Sequence, residues 1–379
     1  MKSAKVLLVS PQCPDTFWSM KQAMKIFGKK AVSPPLGLLT VAAMLPNEWE
    51  KRLVDMDVAP LTDDDIKWAD YVLIGAMVIQ KESAREVIGR CKEFHVRTVA
   101  GGPLFTSECE AFMDVDYLIL NEAEVTLPLF LADLRNDCAI QVYTSEKRPD
   151  VSETPLPMWS LIRMDDYFTM AVQYSRGCPF SCEFCDIATL YGHKIRTKNK
   201  SQLLNELDAL YNIGWREPVF IVDDNFIGNK TKLKRDILPA IIKWQKERSY
   251  PFLLTTQASI NLADDEDLMR LMAQAGFDCV FIGIETISEE GLIECNKHQN
   301  TNRDLVASVK RVLNHGLQVY GGFIVGFDSD TASIFERQIS FIQETGIVVA
   351  MTGLLNAPYH TKLYQRLKKE DRLMSRYSG

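Results

Sequence analysis

The stretch RGCPFSCEFC, residues 176–185, decides how the rest of the chain is understood. It places three cysteines, Cys178, Cys182 and Cys185, at a spacing of CxxxCxxC. The glycine and the proline in this stretch suit a loop that wraps closely round a ligand. A compact loop of this kind can direct three thiolates at one centre. Three thiolates can hold three corners of a 4Fe-4S cluster and leave the fourth iron open to a cofactor or substrate.

Structural zinc and plain core packing are the alternatives for these cysteines. Structural zinc usually takes four ligands in two pairs, and the sequence has no second CxxC and no HxxxH pair. Three inert core cysteines at this spacing would be a coincidence, so the spacing favours the cluster. The remaining cysteines are expected to be packing or loop residues, namely Cys13, Cys91, Cys109, Cys138, Cys279 and Cys295.

Composition places the chain among ordinary globular proteins. Of its 379 residues, 46% are hydrophobic and 25% are charged, which excludes disordered and low-complexity classes. The net charge of −7 and the absence of a basic run argue against a general nucleic-acid binder. The longest apolar stretch, Tyr71 to Ile79, is too short to span a membrane. The sequence therefore predicts a cytoplasmic protein, whose thiols stay reduced.

The first 136 residues alternate short apolar runs with amphipathic stretches, which is typical of repeated βα units. This pattern predicts an α/β fold with a parallel, doubly wound, Rossmann-like sheet. Neither GxGxxG nor GxxxxGK[ST] occurs, so the usual dinucleotide and P-loop signatures are missing. The predicted strands are Lys5–Ser10, Lys51–Asp55, Tyr71–Gly75, Arg97–Ala100 and Tyr117–Leu120.

Residues 137–167 are proline-rich and polar, which predicts an extended linker. Residues 168–379 then repeat the βα pattern six times, which predicts a partial (β/α)6 barrel, since a complete eight-unit barrel usually takes about 250 residues. Polar residues follow the strands, as at the active-site end of a barrel. The predicted strands are Thr169–Tyr174, Pro218–Val222, Phe252–Thr256, Cys279–Gly283, Gln318–Val325 and Val348–Leu354.

With its three cysteines and with Phe184 just before the last of them, the chain resembles the radical S-adenosylmethionine superfamily. The resemblance implies that the open iron binds the amino and carboxylate groups of the methionine moiety. It also implies that an electron from the reduced cluster breaks the sulfonium bond, so that a 5′-deoxyadenosyl radical can abstract a hydrogen from an unreactive carbon. The cofactors carry out this chemistry, while the fold aligns them and excludes water.

Further stretches are similar to that superfamily at the strand ends: VDDNF at 222–226, GIET at 283–286 and GFIVGF at 322–327. The resemblance implies that the methionine and ribose groups are held among Asp223, Asp224, Gln257, Ser259 and Glu285. It places the adenine against Phe184 and Gly322. The stretch VDDNF lacks the Gly-Gly-Glu of the family, so the residue that binds the methionine amine stays open.

The first domain resembles the cobalamin-binding domain that precedes some radical barrels, through SPPLGL at 33–38, GGP at 101–103 and NEAE at 121–124. The resemblance implies that Gly101, Gly102 and Glu122 help to hold cobalamin at the carboxyl edge of the sheet. Asn121 stands where the family often has glycine. No DxHxxG occurs, so the cobalt would have no histidine ligand from the protein. The alternative is a domain of this fold without a cofactor.

Over nearly its whole length the chain is similar to cobalamin-dependent radical methylases of the hopanoid C-2 type. The resemblance implies methylation of an unactivated carbon, of a hopanoid-like lipid in that type, with a flavodoxin- or ferredoxin-type electron donor. A lipid substrate would place the protein at the periphery of a membrane. Family members continue further, so we expect either a fragment or a chain that lacks their C-terminal region. A cyclase or rearrangement enzyme with the same cofactors, and a non-catalytic metal- or corrin-binding protein, are the alternatives.

Overall fold

The computed structural model describes residues 3–16 and 19–376. Its contacts divide the chain into two compact units, Met1–Met170 and Ala171–Ser378. The strands of the described residues are β1 Lys5–Ser10, β2 Glu50–Asp55, β3 Tyr71–Gly75, β4 Arg97–Gly101, β5 Tyr117–Ile119, β6 Val142–Tyr143, β7 Met170–Val172, β8 Ser175–Arg176, β9 Arg196–Thr197, β10 Val219–Ile221, β11 Leu254–Ala258, β12 Phe277–Glu285, β13 Gln318–Val325 and β14 Val349–Leu354.

The α-helices of the same residues alternate with these strands. They are α1 Lys21–Ile26, α2 Leu36–Met44, α3 Asp63–Trp68, α4 Lys81–Glu93, α5 Pro103–Ser107, α6 Ala123–Arg135, α7 Ile187–Tyr191, α8 Lys200–Asn212, α9 Lys230–Lys232, α10 Leu238–Glu247, α11 Glu266–Gln274, α12 Glu289–Glu294, α13 Leu305–Asn314, α14 Ile334–Thr345 and α15 Lys362–Lys369.

The first unit is a parallel sheet with the strand order β2-β1-β3-β4-β5-β6. Successive side chains of β1 point to opposite faces, so that Leu7 and Val9 enter one buried core and Val6 and Leu8 enter another. Helices cover both faces, and the predicted doubly wound fold is confirmed. The strand order reverses between β1 and β3. In such folds ligands bind beyond the carboxyl ends of the strands at this switch point.

The proline-rich stretch 137–167 packs with the first unit instead of forming a free linker. Its strand β6 pairs in parallel with β5, and the Tyr143 ring packs edge-on against Phe130 in the core. Further along, the Tyr167 hydroxyl group donates a hydrogen bond to Asp55 at the end of β2. Apolar side chains scattered among the prolines thus bury the stretch, and the first unit extends to Met170.

The second unit contains a six-stranded sheet in the order β7-β10-β11-β12-β13-β14, of which β10 to β14 are parallel neighbours. Strands that follow each other in the chain therefore lie side by side, with helices between them in sequence. This confirms the predicted partial barrel. The sequence analysis missed the short antiparallel pair β8 and β9, because its four polar residues carry no apolar alternation.

The described residues include no helix whose length and apolar character would suffice to cross a membrane.

Candidate active site

The loop that carries the three cysteines starts and ends at one narrow point of the second unit, here called the neck. Strands β8 and β9 close this neck, and Gly177 follows β8 with a φ of 94°. A Cβ atom at Gly177 would lie 2.9 Å from the carbonyl oxygens of both Gly192 and Lys194. The Cys178 N–H group donates to the first of these oxygens at 3.2 Å. Only glycine fits at this position, because it tolerates both the left-handed backbone and the close approach.

Backbone N–H groups point at two of the three cysteine sulfurs. The Phe180 N–H group donates to the sulfur of Cys178, and the Ile187 N–H group donates to that of Cys185. Burial raises the pKa of the Cys185 thiol to about 12 and also raises that of Cys178, while these N–H donors work in the opposite direction. Donors of this kind are what thiolates of an iron–sulfur site require around their sulfurs.

The donor set of the loop fits a cluster better than it fits zinc. Within residues 3–16 and 19–376, no three His, Cys, Asp or Glu side chains form a group that could hold one metal ion. Such a group is what structural zinc needs. The three thiols are nevertheless close enough to influence one another electrostatically. In a 4Fe-4S cluster each thiolate binds a different iron atom, so three neighbouring thiols that do not surround a single point fit a cluster.

Two elements hold the loop from outside. The Glu183 N–H group donates to the carbonyl oxygen of Cys295 at 2.8 Å, and the Leu363 N–H group of α15 donates to the carbonyl oxygen of Glu183 at 2.9 Å. The Glu183 carboxylate accepts two hydrogen bonds of 3.0 Å from the Arg366 guanidinium group. Finally, the Gln299 side-chain amide donates to the Cys182 sulfur at 3.6 Å. Sequence reasoning missed these contacts, since only the position of Glu183 inside the motif could have drawn attention.

The two aspartates after β10 have different surroundings. Asp223 is fully buried, and its carboxylate accepts from the Tyr174 N–H group at 2.7 Å and the Ser175 hydroxyl group at 2.6 Å. It therefore ties the end of β10 to the segment after β7. Asp224 accepts from the Gly177 N–H group at 3.2 Å and so faces the neck of the cysteine loop. Burial raises the pKa of Asp223 to about 7 and that of Asp224 to about 6.

The two predicted binding residues at the end of β11, Gln257 and Ser259, also have different surroundings. The Ser259 hydroxyl group donates to Asn261 at 2.6 Å and accepts from the Asn225 amide at 3.2 Å, so its hydrogen bonds link β11 to the residues after β10. Gln257 is half-buried on β11, and its side chain has no hydrogen-bond partner among the residues described. Of the two predicted binding residues, Gln257 is thus the one with free donor and acceptor groups.

Glu285 ends β12 in a buried ion pair. Its φ is 65°, and its Oε1 atom accepts a hydrogen bond of 2.5 Å from the Lys297 ammonium group. A Cβ atom at Gly283 would lie 2.3 Å from that oxygen, so the glycine makes room for the pair. Burial lowers the pKa of Lys297, but the charges of Glu285, Cys182 and Cys185 outweigh it and raise that pKa. Sequence reasoning identified the acid and missed its partner.

The two predicted adenine contacts lie on different elements. Phe184 is half-buried in the turn between the second and third cysteines. Gly322 is buried on β13, where a Cβ atom would lie 2.7 Å from the Phe281 ring on the neighbouring strand β12. The ring of Phe281 by itself therefore requires a small residue at Gly322.

The first unit presents its predicted cofactor residues after β4 and β5. Gly102 has a φ of 97°, and a Cβ atom there would lie 3.0 Å from the Ala76 carbonyl oxygen. At Gly101, a Cβ atom would lie 2.8 Å from the Ile119 carbonyl oxygen. Glu122 is buried at the start of α6, and its carboxylate lies 3.7 Å from the Arg148 guanidinium group.

The backbone conformation of Asn121 accounts for an asparagine at a position where the family often has glycine. Its φ of 63° is left-handed, which asparagine and glycine adopt more readily than other residues. Its side-chain amide group donates to the Thr144 hydroxyl group and to the Ser145 carbonyl oxygen. Asparagine therefore keeps the turn that glycine makes elsewhere, and adds an anchor to the chain after β6.

Two apolar side chains are exposed at the strand-order switch point. Met77 and Ile79 follow β3 directly and are 59% and 55% exposed. Exposed large apolar groups at a ligand-binding edge indicate a surface that a ligand covers. Together with the left-handed Gly102 turn, this edge fits a large, partly apolar ring system such as a corrin. The sequence predicts a cofactor at this edge but does not single out these two residues.

Similarity to known proteins identifies the family to which this chain belongs. The sequence profile of the Radical SAM superfamily matches residues 172–342. An uncharacterized methyltransferase of Synechocystis sp. is 44% identical over 377 residues, which cover 99% of this chain and 70% of the relative. The hopanoid C-2 methylase of Rhodopseudomonas palustris is 34% identical over 377 residues, which cover 98% of this chain and 71% of the relative. The chain belongs to the radical S-adenosylmethionine superfamily.

Within that superfamily, this radical SAM protein groups with the methyltransferases. The radical S-adenosylmethionine methyltransferase TsrM from Kitasatospora setae, solved with cobalamin and a 4Fe-4S cluster, superposes with a TM-score of 0.76 at 16% identity. The match covers 97% of this chain and 78% of TsrM. At this identity the likeness establishes a shared fold. The fold predicted for cobalamin-binding radical SAM enzymes is thereby confirmed, and the methyltransferase and hopanoid C-2 methylase relatives support the recognised type.

Proposed function

We propose that this protein is a cobalamin-dependent radical SAM methyltransferase that methylates an unactivated carbon of a hopanoid-like lipid. The observation that carries the proposal is the CxxxCxxC loop, which follows β7 and is fixed on the edge where β10, β11 and β12 also end. Asp223 accepts hydrogen bonds from Tyr174 and Ser175, and Ser259 accepts one from Asn225. These bonds join the ends of β7, β10 and β11. A parallel sheet in this arrangement collects its chemistry at one edge.

Cys178, Cys182 and Cys185 would hold the three closed corners of a 4Fe-4S cluster. When bound, the cluster and S-adenosylmethionine together supply a radical strong enough to remove hydrogen from an unreactive carbon. The protein around them binds and orients. Asp224 and Gln257 keep hydrogen-bonding capacity at the edge, and we assign them to the methionine and ribose groups. Asp223 and Ser259 hold the strand ends in place instead.

Cobalamin would lie at the carboxyl edge of the first sheet. Met77 and Ile79 would cover one apolar surface of the corrin, and the turns at Gly101, Gly102 and Asn121 would shape the edge around it. When bound, this cofactor supplies the methyl group. Glu122 already lies near Arg148, so its part is to hold the loop rather than to contact cobalt.

Anaerobic purification and reconstitution test the proposal. We expect the wild-type protein to bind about four iron atoms and four sulfides per chain, together with cobalamin. With dithionite and S-adenosylmethionine it should form 5′-deoxyadenosine, and Cys182→Ala should abolish this. Cys138→Ala is the matched control, because Cys138 is exposed in the first unit. Formation of 5′-deoxyadenosine by Cys182→Ala would refute the cluster assignment.

The mass of the product separates the methyltransferase from its alternatives. A methyltransferase adds one methyl group to a hopanoid acceptor in each turnover, whereas a cyclase or a rearrangement enzyme adds none. A full cluster without any cleavage of S-adenosylmethionine would favour a non-catalytic binding protein. The assay should compare hopanoids in detergent with hopanoids in vesicles, since a lipid acceptor would bring the protein to a membrane surface. A flavodoxin- or ferredoxin-type protein is our proposed electron donor.

A further inference from the structure

Residues 295–300, here called the support segment, contact the cysteine loop at its middle ligand. The Cys295 carbonyl oxygen accepts from the N–H group of Glu183, the residue that follows Cys182. From the other end of the segment, the Gln299 side-chain amide donates to the Cys182 sulfur at 3.6 Å. For a sulfur acceptor this distance is within hydrogen-bonding range. The support segment therefore touches both the backbone and the sulfur at this corner of the loop.

The support segment is fixed to the end of β12 by two buried side chains. The Lys297 ammonium group binds the Glu285 carboxylate at 2.5 Å. The Asn300 side-chain amide donates to the carbonyl oxygens of Gly283 at 3.2 Å and Ile284 at 3.0 Å. These two anchors flank Gln299, so its backbone has a defined position. A hydrogen bond made from a rigid backbone loses less side-chain and backbone freedom than one made from a mobile loop.

We propose that Gln299 is a positioning residue for the cluster, which orients Cys182 and raises the reduction potential of the cluster through its amide N–H group. This inference rests on the proposed function. One-electron reduction adds a negative charge to the cluster and its thiolates. A donor to a thiolate stabilises the more negative state, and hydrogen bonds to the sulfurs are among the factors that set such potentials. The electron comes from dithionite in the test below, and no covalent bond of the protein changes.

The charged side chains near Cys182 are already paired, so we assign the effect on the reduction potential to the neutral amide group of Gln299. Lys297 is close enough to interact electrostatically with Cys182 and Cys185, but its ammonium group is paired with the Glu285 carboxylate. Glu183 is likewise paired with Arg366. The Gln299 amide adds no charge of its own and donates a hydrogen bond directly to the Cys182 sulfur. Its removal should therefore change the potential without disturbing either ion pair.

A redox titration of the reconstituted protein with dithionite as the reductant, followed by electron paramagnetic resonance without S-adenosylmethionine, tests this role. In Gln299→Leu the ratio of reduced to oxidised cluster at a fixed potential should fall by roughly threefold to tenfold, where tenfold corresponds to about 59 mV for one electron. Gln299→Glu, which replaces the donor by a negative charge, should lower the ratio further. Gln299→Lys keeps a donor and should hold the ratio at or above that of the wild type.

Gln274→Leu is the matched control, because Gln274 is exposed at the end of α11. Iron content is measured for every variant. A midpoint potential of Gln299→Leu equal to those of the wild type and the control would overturn the proposal, as would iron loss with an unchanged midpoint in the clusters that remain. A wild-type protein that assembles no cluster would instead refute the proposed function, and this role with it.

Discussion

At residue 283, the absence of a side chain is explained by a buried ion pair. The Glu285 carboxylate occupies the space that a Cβ atom would take, and the Lys297 ammonium group lies 2.9 Å from the same point. Neither group can move into water, because both side chains are about nine-tenths buried. A buried ion pair depends on its geometry to offset the loss of hydration.

Gly283→Ala should therefore destabilise the second unit by about 2–4 kcal/mol, as overpacking and disruption of the pair add together. Urea unfolding of the full chain measures this. Gly89→Ala is the control, since a Cβ atom at that position in α4 meets nothing within 4 Å. It should change stability by less than about 1 kcal/mol, in the stabilising direction. Equal effects of the two substitutions would contradict this account of Gly283.

Asp55 predicts a pH dependence in the first unit. Burial raises its pKa to about 6, while hydrogen bonds from the Asp57 N–H group and the Tyr167 hydroxyl group lower it. Between about pH 4 and pH 6 the folded chain thus holds a proton that the unfolded chain releases. By linkage, the free energy of unfolding decreases as the pH rises through this window.

Asp55→Asn should lack this decrease. The difference in unfolding free energy between wild type and variant should shift by roughly 2–3 kcal/mol from pH 4 to pH 7, to the disadvantage of the wild type. Urea unfolding at several pH values measures the shift. Asp64→Asn, at an exposed position in α3, provides the comparison. Parallel pH curves for wild type and Asp55→Asn would show that this carboxylate titrates normally.

Single residues also show how far the site could be predicted. The cysteines stand out because a local loop fixes their spacing. Asp223 and Ser259 follow strands in stretches that resemble the family, which indicates the edge of the sheet but leaves open whether a side chain faces a ligand or a neighbouring strand. Their partners, Ser175 and Asn225, complete hydrogen bonds across strands. Gln299 contacts Cys182 although the two residues are 117 positions apart in the sequence, and no local sequence pattern predicts such a contact.

At the scale of elements, helix α15 holds the cysteine loop. Its Leu363 N–H group binds the Glu183 carbonyl oxygen, and its Arg366 guanidinium group binds the Glu183 carboxylate through two hydrogen bonds. Arginine suits this geometry because its planar group matches a carboxylate at two points. Glu183 stands directly after Cys182, so the helix restrains the backbone of a proposed ligand.

Arg366→Ala should make the cluster more labile. Iron loss to a chelator, followed by the decrease in iron–sulfur absorbance, should be several-fold faster than in the wild type. Arg366→Lys should be intermediate, since lysine cannot make the two parallel hydrogen bonds. Arg372→Ala is the matched control, because Arg372 binds Asp328 and Glu370 at the end of the same helix region. If Arg372→Ala loses iron as fast as Arg366→Ala, the effect belongs to the general charge of this surface.

Elements with strong apolar patterns were predicted well, and elements without them were not. The long strands β12 and β13 lie where their apolar patterns predict them, and the amphipathic pattern over residues 200–213 predicts a helix at the position of α8. Strands β8 and β9 were missed because two polar residues each give no pattern. The amphipathic pattern over residues 232–248 predicts one α-helix, whereas the structure has a π-helix at Leu233–Ile237 between α9 and α10, and periodicity alone does not distinguish these states.

At the scale of the whole molecule, two compact units each present candidate cofactor residues at the carboxyl edge of a parallel sheet. The parallel sheets of both units follow from repeated βα units, which is why periodicity sufficed to predict their fold class, whereas the strand orders come from the structure. The proline-rich stretch 137–167 could not be assigned in the same way, since its buried residues Tyr143, Val151 and Trp159 lie eight residues apart, too far for the alternation of a strand or the three- to four-residue repeat of a helix. If each unit holds its own cofactor, the two cofactors should be separable by mutation.

Gly102→Val should lower cobalamin content by about tenfold and leave the iron content unchanged. The expected loss follows from the cost of a left-handed, branched residue, about 1–2 kcal/mol, combined with a Cβ atom 3.0 Å from the Ala76 carbonyl oxygen. Cys182→Ala should do the reverse. Both cofactors are measured on each protein, iron by colorimetry and cobalamin by the absorbance of its extracted cyanide form. Gly37→Ala is the control for the first unit, because a Cβ atom there meets nothing within 4 Å. Loss of both cofactors from each single variant would contradict independent sites and would mean that one cofactor is retained only when the other is bound.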